Sequence, residues 1–98
     1  MVEIVWTAPA VAELDAIGDY IAFENKTAAQ ILVRRIFSRF EQLAHFPKSG
    51  SRLPEWPDSV YRQIVVKPCR IFYRQDGKRV FIVFVMRNER LLKKAFLR

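Results

Sequence analysis

The sequence contains few of the residues that build covalent or metal-based frameworks. Cys69 is the only cysteine and His45 the only histidine among 98 residues, so neither an internal disulfide nor a cysteine-based zinc site can form. Glycine is also scarce, with three residues, and none of them belongs to a Gly-rich phosphate loop. We therefore predict a fold that a hydrophobic core stabilises without metal or cofactor, in a reducing cytoplasm.

Long apolar runs are absent as well. The longest covers residues 80–86, far short of the roughly 20 residues that span a bilayer. The N-terminus lacks the basic segment of a signal peptide, so we expect no membrane association. With 51% hydrophobic and 28% charged residues, the composition is typical of a globular protein. The length predicts a single domain over residues 1–98.

Lysine and arginine are missing from the first 24 positions. That segment carries five carboxylates, a net charge of −5, whereas residues 25–98 carry all 17 bases and the other five acids, a net charge of +12. Such a basic surplus favours an anionic partner. The partner could be nucleic acid or an acidic protein segment, and charge alone does not choose between them.

Hydrophobic periodicity predicts two helices after a short first strand at residues 2–6. Thr7 followed by Pro9 indicates the start of the first helix. Thr27 and Gln30 fit a capping box at the start of the second helix. Each helix carries an apolar stripe at helical spacing, so the two are expected to form a hairpin with one buried face. We interpret His45 as a structural residue in the last turn of the second helix.

Three further strands are predicted after a proline-rich loop at residues 46–58. They cover residues 60–66, 70–75 and 79–86, which are rich in β-branched and aromatic side chains. Asp76 and Gly77 indicate a two-residue type I′ turn, and Cys69 is interpreted as an inert residue in the preceding turn. The prediction is an α+β fold of order βααβββ, with a helix hairpin packed on one face of a small antiparallel sheet.

The predicted register separates two faces of that sheet. The face toward the helices would hold an apolar set: Val65, Ile71, Tyr73, Val80, Ile82, Phe84 and Met86. The opposite face would hold Arg62, Arg74 and Arg79 in one cross-strand row, with Ile64 and the exposed rings of Phe72 and Phe81 in the next row and Arg70 beyond. Arginines beside aromatic rings suit phosphate and base, or the carboxylates of a peptide. A solvated face whose arginines merely cover the rings remains the alternative.

Several segments together carry a family resemblance: "VWTAPAVAELDAIGDYIA", "LAHFPKSGSRLPE", "YRQIVVKPCRIFYRQDGKRVFIVFV" and "RNER". In this order and spacing, the chain resembles the RelE/ParE superfamily of bacterial type II toxins. The resemblance implies a toxin neutralised by a cognate acidic antitoxin, ParD-like or RelB-like, which alone would contact operator DNA.

The resemblance also implies one of two activities. RelE-like members cleave mRNA on the ribosome, and Arg62 and Arg70 match basic positions of their pattern. ParE-like members inhibit DNA gyrase. Asn88 and Lys94 stand where the nucleases have an arginine and a tyrosine, which favours the ParE-like branch.

No catalytic residue is therefore predicted, and enzyme activity is not expected. A RelE-like nuclease and a non-toxic basic nucleic-acid or peptide-binding module remain alternatives. The candidate target-binding or antitoxin-binding residues are Arg62, Arg70, Phe72, Arg74, Arg79, Phe81, Arg87 and Arg90.

Overall fold

A computed structural model describes residues 1–97. From the sequence, the basic segment at residues 89–98 is also expected to contact the target; its last residue, Arg98, lies outside the described residues. Along the chain the elements are β1 (Glu3–Trp6), α1 (Ala8–Glu24), α2 (Lys26–His45), β2 (Ser51–Arg52), β3 (Arg62–Val66), β4 (Cys69–Asp76), β5 (Arg79–Arg87) and a short 3₁₀ turn (Lys94–Phe96).

The two helices form the predicted hairpin on one face of the sheet. Helix α1 begins after Thr7, with Pro9 in its first turn, and the Thr7 hydroxyl donates to the Ile82 carbonyl oxygen at 2.7 Å. The capping box is wrong. Asn25 caps α2 instead, because its side-chain oxygen accepts from the Ala28 N–H at 3.0 Å. Its own N–H donates to the carbonyl oxygen of Ile21, so one residue joins the ends of both helices.

The sheet has five strands in the order β1-β5-β4-β3-β2. Strand β2, which the sequence pattern does not predict, pairs with β3 from within the predicted loop. Strand β1 runs parallel to β5, whereas the other neighbours are antiparallel. The α+β architecture is confirmed, with a sheet that is mixed rather than wholly antiparallel.

Both hairpin turns differ from the predicted turns by one residue: the β4–β5 turn is shifted, and the β3–β4 turn is shorter. Asp76 pairs with Arg79, so the turn residues are Gly77 and Lys78. Within residues 1–97 only Gly77 has a positive φ, 59°, whereas a type I′ turn needs positive φ at both central residues. Glycine at the first position suits type II′. In the preceding hairpin, Val66 pairs with Cys69, so the turn contains only Lys67 and Pro68, joined by a cis peptide bond.

These shifts overturn the predicted arginine row. Arg62 lies opposite Tyr73, and Arg74 lies opposite Phe81. A bulge between Phe72 and Tyr73 in the pairing with β5 changes the register again. As a result Ile64 packs in the helix-side core and Val65 is 46% exposed, the reverse of the prediction. Phe84 and Met86 pack on the other face of the sheet.

The sheet is covered on both faces. Ile71, Tyr73, Val80 and Ile82 pack on the helix side as predicted. On the opposite side lies a second group, the outer cluster, formed by Leu53, Phe72, Val83, Met86 and Leu97. Its cover comes from the loop before β3 and from the C-terminal tail. The predicted open face is therefore closed over part of its area by segments outside the sheet.

Candidate binding surfaces

Arg70 is held inside the molecule by two polar partners. Its guanidinium donates to both carboxylate oxygens of Glu55 at 2.7 and 2.8 Å, and its Nε donates to Oε1 of Gln63 at 3.0 Å. Only 10% of the Arg70 side chain is exposed. The hydrogen bonds from Arg70 lower the pKa of Glu55. This bidentate ion pair ties the loop before β3 to the sheet, so Arg70 acts as a structural clamp.

Phe72 is completely buried rather than exposed. Within the outer cluster it packs with Leu53 of the loop before β3 and with Leu97 of the C-terminal tail. The tail is fixed by a hydrogen bond from the Tyr61 hydroxyl to the Leu97 carbonyl oxygen at 3.2 Å. Phe96 also stacks on Phe84 with ring centroids 4.9 Å apart. The predicted apolar surface beside the arginines exists, but the protein's own tail covers it.

Three of the predicted residues stay together at the end of the sheet near the β4–β5 turn. Arg74 lies 4.6 Å from the ring centroid of Phe81 and 3.8 Å from a carboxylate oxygen of Asp76. Arg79 pairs with Glu3 of β1 at 3.1 Å and is mostly exposed. This small basic and aromatic patch is what remains of the predicted surface.

The other predicted arginines lie elsewhere. Arg62 is half-buried and donates to the Gly50 carbonyl oxygen at 2.9 Å. Arg87 lies 5.0 Å from the ring of Tyr20 in α1, and Arg90 lies 5.6 Å from the ring of Phe96 in the tail. The eight candidate residues therefore do not form one site.

Two groups with the potential for acid–base or nucleophilic chemistry, Tyr73 and Cys69, are buried, whereas His45 is exposed in the last turn of α2. The Tyr73 hydroxyl donates to the Pro47 carbonyl oxygen at 2.8 Å and accepts from the Gly50 N–H at 3.0 Å, and burial raises its pKa. Cys69 is a buried strand residue rather than a turn residue, and burial raises the pKa of its thiol. The Lys94 ammonium lies 4.6 Å from the ring centroid of Trp56.

The helix hairpin carries an apolar groove that the sequence analysis missed. The groove has a volume of about 790 Å³ and is lined by residues of α1, α2 and β1. Its exposed apolar side chains include Val11 and Phe37, which are 42% and 46% exposed. Gly18 leaves open space at its floor. The signals were a glycine inside a helix and a phenylalanine outside the buried stripe of α2.

A second, basic groove lies between α2 and the edge of β3. Its volume is about 430 Å³, and Arg34, Arg35 and Arg39 line it together with Val65. We call it the β3 groove. The sequence does not predict this groove, because it exists only once α2 lies across the sheet.

Within residues 1–97, no helix combines the length and the apolar character needed to cross a bilayer.

Comparisons with known proteins agree with the fold. A family model described as "ParE toxin of type II toxin-antitoxin system, parDE" matches residues 4–92. Toxin RelE2 of Caulobacter vibrioides is 37% identical over 93 residues, covering 93% of this chain and 100% of that protein. A structure described as "Chromosomal ParDE TA system from P. aeruginosa" has a TM-score of 0.75 at 26% identity, covering 91% of this chain and 98% of the other. The chain therefore belongs to the ParE toxin family of type II toxin-antitoxin systems.

Proposed function

We propose that this toxin inhibits DNA gyrase and is neutralised by a cognate acidic antitoxin. The observation that carries the choice of target is the state of Arg62 and Arg70, the two arginines that match the nuclease pattern. Arg70 is engaged by Glu55 and Gln63, and Arg62 donates to Gly50. Arg70 could stabilise the negative charge of a phosphorane only by breaking contacts that hold the fold, and one nitrogen of Arg62 is already engaged by a backbone carbonyl.

The groups available for proton transfer also favour gyrase inhibition over RNA cleavage. Cleavage at a ribose requires one group to take the 2′-hydroxyl proton and another to protonate the leaving oxygen. Arginine remains protonated and makes a poor base. The Tyr73 hydroxyl is buried with both a donor and an acceptor contact. Inhibition of gyrase by binding requires no proton transfer and depends only on surface charge and shape.

The proposed gyrase contacts are the exposed basic residues near the β4–β5 turn and in the tail. Arg79, Arg90 and Lys93 are exposed. The tail is held against the sheet by Leu97 and Phe96, so its charges have a defined position. A basic surface of this kind suits an acidic protein surface or the DNA that gyrase holds.

A supercoiling assay with purified gyrase and relaxed plasmid tests the proposal directly. We expect the toxin to inhibit supercoiling, and the double change Arg90→Ala and Lys93→Ala to weaken inhibition while leaving the thermal midpoint unchanged. Ser38→Ala, an exposed change on α2, is the matched control. Full supercoiling in the presence of excess folded toxin would contradict the proposal.

Ribosome-dependent cleavage of mRNA remains the second candidate, because the 37% identical relative carries the name RelE2. On programmed ribosomes we expect no cleavage. Codon-specific cuts by wild type that are lost in a folded Arg62→Ala variant would show that the protein is a RelE-like nuclease. In cells, induction should stop DNA synthesis before translation. Absence of any growth defect would favour a non-toxic binding module.

A further inference from the structure

The groove between α1 and α2, here called the hairpin groove, leaves apolar side chains open to solvent. Val11 and Phe37 line it and are 42% and 46% exposed. The half-buried Trp6 lies beside them, with its ring centroid 5.4 Å from that of Phe37. Contiguous exposed apolar surface of this kind marks an interaction site more often than a solvated face. The hairpin groove is therefore a candidate contact surface.

Gly18 opens the α1 wall of this groove. It lies in the middle of α1, and a Cβ added to it would have no packing neighbour within 4 Å. The protomer therefore has room for a side chain at this position, and glycine in a helix interior is less favourable than alanine. Absence of a side chain lets another backbone approach closely. The open space at Gly18 suits a helix of a second molecule.

The two walls of the hairpin groove carry opposite charges. Asp15 and Asp19 line it from α1, and Lys26 and Arg34 line it from α2. All four side chains are exposed, and none belongs to the ion pairs found in residues 1–97. An occupant with charges of one sign would meet one wall of like charge. The groove therefore fits a surface that itself has an acidic and a basic side.

A second copy of the chain presents such a surface. The helices run antiparallel from their connection at Asn25, and at 1.5 Å per residue Asp15 and Arg34 each lie roughly 13–15 Å from it. A two-fold axis parallel to the helices keeps these heights and lays α1 of each copy on α2 of the other. Asp15 of each copy then faces Arg34 of the second copy. An axis across the helices would instead lay α1 on α1 and set like charges opposite each other.

We propose that the hairpin groove is a self-association surface, through which two copies of the toxin form a two-fold dimer with α1 of each packed on α2 of the other. Side chains of α2 enter the space above Gly18, the apolar residues of both grooves leave water, and the acidic wall of each copy meets the basic wall of the other. The inference does not depend on the choice between gyrase and ribosome as the target.

Sedimentation equilibrium of the purified toxin without antitoxin measures this dimer directly. We expect wild type to show a reversible monomer–dimer equilibrium. Gly18→Gln places a long side chain in the groove without a clash inside the protomer and should raise the dimer Kd about tenfold or more. Ala12→Gln, an exposed change on α1 outside the groove, is the matched control and should leave the Kd unchanged. Thermal melts confirm that both variants fold.

Charge reversal tests the two-fold geometry. Asp15→Arg alone and Arg34→Asp alone each set like charges opposite each other across the dimer, so each should raise the Kd about tenfold or more. A one-to-one mixture of the two variants should associate at least as tightly as wild type, because every reversed charge then faces its opposite in the mixed pair. A purely structural role of these residues within the protomer predicts no such rescue.

Wild-type toxin that stays monomeric would overturn the inference and assign the hairpin groove to a different partner. A dimer that Gly18→Gln leaves intact would show that the copies associate through another surface. Single charge reversals that weaken the dimer without rescue on mixing would exclude the contact of α1 with α2. These results are separate from the supercoiling assay, since self-association is measured without gyrase.

Discussion

Arg70 and Arg74 stand four residues apart on the same strand, yet their surroundings give them different roles. Arg70 is desolvated and makes charge-assisted hydrogen bonds with Glu55 and Gln63. Arg74 is one-third exposed and has a loose contact with Asp76. Since a buried charged partner left alone is costly, whereas surface pairs contribute little, the two arginines should respond differently to truncation.

We expect Arg70→Ala to lower the free energy of unfolding by about 2–3 kcal/mol, because it leaves Gln63 and Glu55 without their donor. Arg74→Ala should cost less than about 0.5 kcal/mol. Urea denaturation of the two variants checks this. Equal, small effects would show that the Glu55 loop is held by other contacts.

The same ion pair predicts a pH dependence. The Arg70 hydrogen bonds hold the pKa of Glu55 below its ordinary value of 4.5. A carboxylate with a lowered folded-state pKa stabilises the protein above its ordinary pKa, and this contribution is lost as pH falls through the folded value. Glu55→Gln should therefore lose less stability than wild type on acidification below about pH 5.

Because the Glu55 side chain is 40% exposed, solvent screening should keep that difference below about 1 kcal/mol. Unfolding free energies measured at several pH values for wild type and Glu55→Gln provide the comparison. Asp58→Asn, the same type of change in the same loop, is the matched control. If the unfolding free energies of all three proteins changed with pH in parallel, Glu55 would not contribute to the pH dependence of stability.

At the scale of elements, Asn25 is the junction of the helix hairpin. Its side chain caps α2 and its N–H ends α1. Replacing an N-cap asparagine by alanine costs about 1 kcal/mol, so Asn25→Ala should lower stability by that amount. Thr27→Ala should be neutral, since Thr27 is exposed inside the first turn of α2. Thermal melts distinguish this from the capping box, for which the order of the two effects would be reversed.

The element pattern could be predicted from the sequence, whereas the registers could not. The apolar stripe of α2 predicts which of its residues are buried, because helical spacing is a local property. A strand register depends on which two residues occupy each turn, and Asp76-Gly77 and Gly77-Lys78 are both chemically reasonable turns. A shift of one residue then changes every cross-strand neighbour. The strand β2 was missed because two residues carry no periodic signal.

The candidate surface was predicted less well for a different reason. Six of its eight residues were correctly predicted to lie in strands β3 to β5, but their exposure depends on segments distant in the chain. Glu55 reaches Arg70 across 15 positions, and Leu97 reaches the cluster around Phe72. No local pattern encodes such contacts. The β3 groove likewise requires the position of α2 relative to the sheet.

For the molecule as a whole, the segregation of charge should control the rate of association. A net charge of +7 attracts an acidic antitoxin at long range, and salt screens this attraction over about 10 Å at 0.1 M ionic strength. We expect stopped-flow association with the antitoxin to slow strongly between low and high salt, with a smaller change in dissociation. An association rate that does not depend on salt would exclude electrostatic steering.

The parallel pairing of β1 with β5 has a consequence for biosynthesis. The first strand of the protein has no strand partner until β5, more than 70 residues later, has been made. Contacts between such distant segments form late because closing a long loop costs entropy. While the chain emerges from the ribosome, the helix hairpin lacks the central strands of the sheet on which it packs. The hairpin can therefore form only nascent structure. A polypeptide interrupted before β5 would therefore lack the folded toxin's surfaces, and premature termination would yield a substrate for proteases rather than a partly active toxin.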